Sequence, residues 1–109
     1  MSTSIYINCA AKQIDESLLI AGASATDRYW LPQIHAMHLD LLEVAFGGGL
    51  TITKEYYPKV IEQVETLSAK LKELQSTMPE IDDAVSRCSD LLAWLRRYPP
   101  EADCELYIG

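Results

Sequence analysis

At 109 residues the chain is long enough to bury one hydrophobic core and too short for two, so a single domain over residues 1–109 is expected. A content of 49% hydrophobic and 23% charged residues excludes a disordered chain. The net charge of -7 disfavours nucleic acid and anionic membranes, which would be repelled, and favours a basic protein partner or serves solubility alone.

The opening "MSTSIYINC" has no basic n-region and no apolar run suited to a signal peptide. No segment approaches the roughly 18 consecutive apolar residues of a membrane span. With three cysteines, Cys9, Cys88 and Cys104, these features predict a cytoplasmic protein whose free thiols pack as small core residues.

"SIYIN" alternates, with Ile5 and Ile7 on one face and Tyr6 and Asn8 on the other, which predicts a half-buried strand. "DESLLIAGA" predicts a short helix after Ile14, closing near Gly22. "TDRYWLPQIHAMHLDLLEVAF" predicts a longer helix with Leu31, Ile34, His38, Leu41 and Ala45 down one stripe. Pro32 must lie in its first turn, so that helix starts near Trp30 or Leu31.

Three glycines, Gly47 to Gly49, follow directly on Phe46. They resemble a phosphate cradle, but a P-loop needs a lysine followed by serine or threonine after the last glycine. Here Leu50 to Thr53 follow instead, and Lys54 precedes Glu55, whose charge opposes phosphate. The expectation is a helix stop, with Gly47 or Gly48 supplying the positive φ. "LTIT" adds a short strand through Leu50 and Ile52.

The third predicted helix carries Val60, Val64, Leu67, Leu71, Leu74 and Met78 on one stripe. The fourth opens with Thr77, Pro79 and Glu80, read as a capping box, and carries Ile81, Val85, Cys88, Leu92 and Leu95. Pro99 and Pro100 stop it. The short "QSTMP" link makes the two an antiparallel hairpin. Stripes of only about three turns favour this over a coiled-coil dimer, leaving a monomer or homodimer. The closing "CELYIG" is again a strand, with Cys104, Leu106 and Ile108 alternating with Glu105 and Tyr107. The expected fold is α/β (α+β), a two- or three-stranded sheet formed by the chain ends and packed against about four helices.

The chemical candidates are few. His35 and His38 share a helix at i, i+3, but zinc wants at least three protein ligands, and Ala36 and Met37 lie between them, so no metal is expected. Cys9 with His35 or His38 and Asp40 is the one nucleophilic combination the composition permits. Asp15-Glu16 and Asp82-Asp83 are adjacent pairs, which on a helix diverge by about 100° and suit a solvated face better than a shared site. No cofactor motif is present, and no catalytic template is complete.

The acids after Glu80 stand out. From Glu80 to Gly109 seven acids face three arginines. Glu80 and Asp83 suit the N-terminal end of the fourth helix. Asp82, Asp83, Asp90, Glu101 and Asp103 are candidate contacts for a cationic protein, Asp82 and Asp90 about two turns apart. "DRYW" sets Tyr29 and Trp30 beside charges, a composition common at interfaces; the alternative puts Trp30 in the core and Tyr29 at its rim.

The arrangement of "SIYIN", "GGLTITKEYYPKVIEQVETL", the capped fourth helix and "ELYIG" resembles the small acidic immunity proteins of bacterial toxin systems. That resemblance implies a non-catalytic protein that neutralises a cognate toxin by occlusion. A phage-encoded inhibitor of a host nuclease complex has the same composition and mechanism. The rival class is an enzyme or small-molecule-binding domain using Cys9, His35 and His38.

Overall fold

The computed structural model describes residues 2–9, 12–100 and 104–109. In chain order its elements are β1 (Thr3–Cys9), β2 (Ile14–Ala21), α1 (Ala23–Ala25), a π turn (Thr26–Trp30), α2 (Leu31–Ala36), α3 (Asp40–Gly47), β3 (Leu50–Thr51), α4 (Tyr57–Gln75), a 3₁₀ turn (Pro79–Ile81), α5 (Asp82–Arg97) and β4 (Cys104–Ile108).

The sheet is antiparallel, in the order β2-β1-β4-β3. The chain ends do lie side by side, with Ile5 opposite Ile108 and Ile7 opposite Leu106. There are four strands where two or three were expected, because the segment read as a helix is β2. In "IDESLLIA" the residues Ile14, Leu18 and Ile20 turn to one face while Asp15, Ser17 and Leu19 are exposed, a period of two rather than 3.6. Pairing with β1 decided the matter, since β1 otherwise had a free edge.

The long helix predicted through residues 30–46 is also corrected. His38 adopts φ 53°, and the Leu39 N–H reaches the Ile34 carbonyl while the His38 N–H reaches that of His35. This is a Schellman stop, with His38 in the left-handed position usually held by glycine and buried Ile34 and Leu39 at its two ends. His38 is therefore exposed and not on the stripe. The new start at α3 has no side-chain cap of its own. Gln63 of α4 supplies one: its Oε1 accepts from the Leu42 N–H at 3.2 Å, and its Nε2 donates to Asp40 Oδ1 at 2.6 Å.

The glycines do stop a helix, but Gly49, not Gly47 or Gly48, takes the positive φ, at 116°. The Tyr107 ring lies over Gly49 closely enough that a Cβ there would collide with it, and the Tyr107 hydroxyl donates to the Gly48 carbonyl. The run is a seat for an aromatic ring and the entry to β3.

Helices α4 and α5 form the expected antiparallel hairpin. Val60, Val64, Leu67 and Leu71 are buried, with Leu74 and Met78 half-buried at the end. On α5 the buried stripe runs through Ala84, Cys88, Leu91 and Leu95, rotated slightly from the one predicted, so that Val85 and Leu92 are half-buried. The Tyr57 hydroxyl donates to the Leu95 carbonyl at 2.5 Å, closing one end, and Gln75 Nε2 donates to Asp82 at 2.8 Å near the other. The capping box is absent. The Thr77 hydroxyl donates back to the Leu74 carbonyl, and a 3₁₀ turn intervenes before α5 begins at Asp82. The pyrrolidine ring of Pro79 starts that tighter turn and puts Glu80 inside it.

One contiguous core joins the inner face of the sheet to the helices. Cys9 and Cys104, cross-strand partners in β1 and β4, form a disulfide, which corrects the expectation of three free thiols. Sequence spacing gave no sign of it, because two cysteines 95 positions apart meet only through the strand pairing. Cys88 remains a free, buried thiol, as expected.

Candidate functional site

The helices cover one face of the sheet and leave the other open. The alternation along each strand creates that second face: Ile5, Ile7, Leu106 and Ile108 point to the core, so Tyr6, Asn8, Glu105 and Tyr107 point away. Three large side chains stand in solvent there, Tyr6 and Leu19 at 45% exposure and Tyr107 at 38%.

Register aligns these residues in rows across the strands. The central row runs Ser17, Tyr6, Tyr107 and Thr51. The two tyrosine rings lie 6.3 Å apart, tilted by 33°, a favourable aromatic pair that also holds both rings on the surface. The next row runs Asp15, Asn8 and Glu105; on the other side Leu19 lies opposite Ser4. None of the four strands contains a lysine, arginine or histidine. The face is thus an aromatic and apolar centre with carboxylates along one side; of these residue types, the tyrosines are the ones enriched at protein interfaces.

The residues singled out from sequence fall elsewhere. Trp30 is fully buried and stacked on Phe46 at 5.4 Å, so it is a core residue and is withdrawn as a partner contact. Its indole N–H has no acceptor among the described residues. Tyr29 is half-buried against the core, at its rim. Asp82, Asp83 and Asp90 are all exposed on α5. Asp83 is neutralised by Arg87 at 3.0 Å and Asp82 accepts from Gln75, leaving Asp90 without a charged neighbour in bonding range. Glu101 and Asp103 lie outside the described residues.

Of the rival combination, the structure removes the Cys9 nucleophile. The Cys9 sulfur is bonded to Cys104, so it offers no thiolate. Asp40 is held by Gln63 and by Lys59 at 3.3 Å; the Gln63 hydrogen bond first, then the Lys59 ammonium, lowers its pKa below the usual carboxylate value. His35 faces Glu43 at 3.4 Å across the α2–α3 junction, and the His38 backbone makes the helix stop while its side chain is exposed. Burial pushes the Cys88 thiol up to about 12, which makes it inert at neutral pH.

Sequence reading placed Tyr6 and Tyr107 on the outer side of their strands but gave them no role. The signal was present: two tyrosines at solvent-facing positions of paired end strands. Leu19 was hidden by the helical reading of its segment. No protein-family model, curated protein or solved structure matches the chain. No helix among the described residues is long and apolar enough to cross a membrane.

Proposed function

We propose that this chain is a non-catalytic binding protein that neutralises a basic protein partner by covering part of its surface, as the immunity proteins it resembles in arrangement do. One observation carries the reading: the uncovered sheet face, with Tyr6, Leu19 and Tyr107 exposed and no basic residue in any of its strands. The tyrosines supply large contact area at small entropic cost, and carboxylates at Asp15 and Glu105 favour lysines and arginines at the rim. The net charge of -7 speeds encounter with such a surface. On α5, Asp90 adds to the same field.

The sequence expectation of a cytoplasmic setting leaned on free thiols, and the Cys9–Cys104 disulfide removes that support. We place the protein's action in a setting oxidising enough to keep the bond.

The test begins with capture of the partner from native cells by wild type and by Tyr6→Lys. The captured protein is expected to be basic, to bind Tyr6→Lys at least about tenfold more weakly, and to associate more slowly as salt rises. Equal binding by Tyr6→Lys rejects the sheet face. Salt-independent association rejects the electrostatic component.

A further inference from the structure

Strand β2 is a long free edge. Among the described residues it pairs only with β1, and its eight residues run along the margin of the sheet beside α5. Two independent hydrogen bonds fix which of its backbone groups face outward. Ser4 and Gly109 exchange both of their backbone bonds, so Ser4, Tyr6 and Asn8 address β4, whereas Ile5, Ile7 and Cys9 address β2. The partners of that second set, Leu18, Glu16 and Ile14, are thereby occupied. Leu19, Ser17 and Asp15 must point away from the sheet. Arg87 agrees, because its Nη1 donates to the Leu19 carbonyl at 3.2 Å from outside. Arg87 closes that end of the edge, and no hydrogen bond reaches the outward groups of Ser17 and Asp15 among the described residues.

A groove of about 200 Å³ lies beside this edge, lined by Leu18, Asp90, Ala93, Trp94 and Arg97. Leu18 belongs to the inner face of β2, and the other four belong to α5. A strand added to the edge would send every second side chain toward this groove, between sheet and helix. Leu18, Ala93 and Trp94 give it an apolar wall. Arg97, at the end of the lining, stands over the Tyr98 ring at 5.3 Å. The Asp90 carboxylate has no ion-pair partner among the described residues. An aliphatic stem ending in a cation fits this set: the stem against Trp94 and Leu18, the charge on Asp90.

We propose that the β2 edge and the groove beside it take an extended segment of the basic partner as a fifth strand, with one lysine or arginine side chain between Trp94 and Asp90. This rests on the binding role proposed above and adds a second point of attachment on the margin of the same sheet. A second copy of this chain fits worse. Each β2 carries Asp15 and Glu16 and no basic residue, so two such edges repel.

The probe is a display library of random octapeptides, panned on wild type with Ser17→Pro as the counter-selection. Proline at position 17 removes an outward donor and no ladder bond to β1. Enriched peptides should alternate, lack central proline and carry lysine or arginine. The best of them should bind Ser17→Pro and Asp90→Lys at least about tenfold more weakly than wild type and Tyr6→Lys with unchanged affinity. If Ser17→Pro does not fold, N-methylation of the peptide answers instead: methyls on one alternate set of amides should abolish binding, and those on the other should not. No enrichment over the counter-selection, equal binding to Asp90→Lys, or indifference to both methylation sets would overturn the proposal. So would a dimer of wild type that Ser17→Pro dissolves, because self-pairing would then occupy the edge. If Tyr6→Lys abolishes capture of the partner while no peptide is enriched, the face reading stands and this one falls. Peptide binding with capture indifferent to Tyr6→Lys is the reverse case.

Discussion

The two faces of the sheet share one backbone and differ in everything else. Residues 104–108 show it within a single strand: Leu106 and Ile108 are fully buried, while Glu105 and Tyr107 stand in solvent between and beside them. On the inner face each side chain is fixed by the volume it must fill. On the outer face the constraint is looser: Tyr107 packs over Gly49 and against Tyr6, while Leu19, Asp15 and Glu105 stand in solvent. The inner face explains why the chain folds; the outer face carries the residues on which the proposed binding role rests.

The contrast can be attacked at several depths. The largest effect is expected at the disulfide, whose two sulfurs lie at one end of the β1–β4 pairing. Because the bond spans 95 residues, the chain-entropy account gives about 4–5 kcal/mol for replacing Cys9 and Cys104 together by alanine. Thiol titration in denaturant should find one free thiol before reduction and three after. Three before reduction would refute the bond.

The third cysteine gives a pH signature. The folded Cys88 thiol holds its proton more tightly than the unfolded one, about 12 against an ordinary 9.0, because burial penalises the thiolate. Its contribution to stability is therefore whole below about pH 9 and is lost as pH rises from there through 12. Iodoacetamide at pH 8 should leave native Cys88 unmodified. Rapid labelling without unfolding would place it at the surface.

Leu106→Ala should cost roughly 2–5 kcal/mol by denaturant titration, from lost burial and the cavity left behind. Next in size comes Gln63→Ala, at about 1–3 kcal/mol, because the Leu42 N–H and Asp40 both lose a partner at the buried start of α3. Gln63→Glu should restore the acceptor but set a carboxylate against Asp40, so it should not rescue. Smallest is Glu105→Ala, one residue from Leu106 and on the other face, which should fall within about 0.5 kcal/mol. Similar losses at positions 105 and 106 would erase the distinction between the faces.

The period of a segment was legible where it was long. The α4 and α5 stripes, the antiparallel hairpin and the pairing of the end strands follow from spacing alone, since many residues repeat the same signal. β2 was not legible because "DESLLIA" supports either period over so few residues, and only the free edge of β1 chooses between them. The helix stop at His38 was hidden because a non-glycine residue occupies the left-handed position. The capping box failed because proline at position 79 tightened the turn. Of the site, the outward parity of Tyr6 and Tyr107 was readable, but their adjacency required the register.

The Cys9–Cys104 bond also has a mechanical meaning. Strands β1 and β4 run antiparallel, with Ile5 beside Ile108 at one end and the disulfide at the other. Tension applied at Thr3 and Ile108 peels the pair apart one rung at a time, like a zipper with its slider riveted. The peeling halts at the sulfurs, and the load then passes through that covalent link. The helices between Cys9 and Cys104 hang outside the load path, so a tug on the strand ends would first draw Ile5 and Ile108 out of the core and then part the Tyr6–Tyr107 pair.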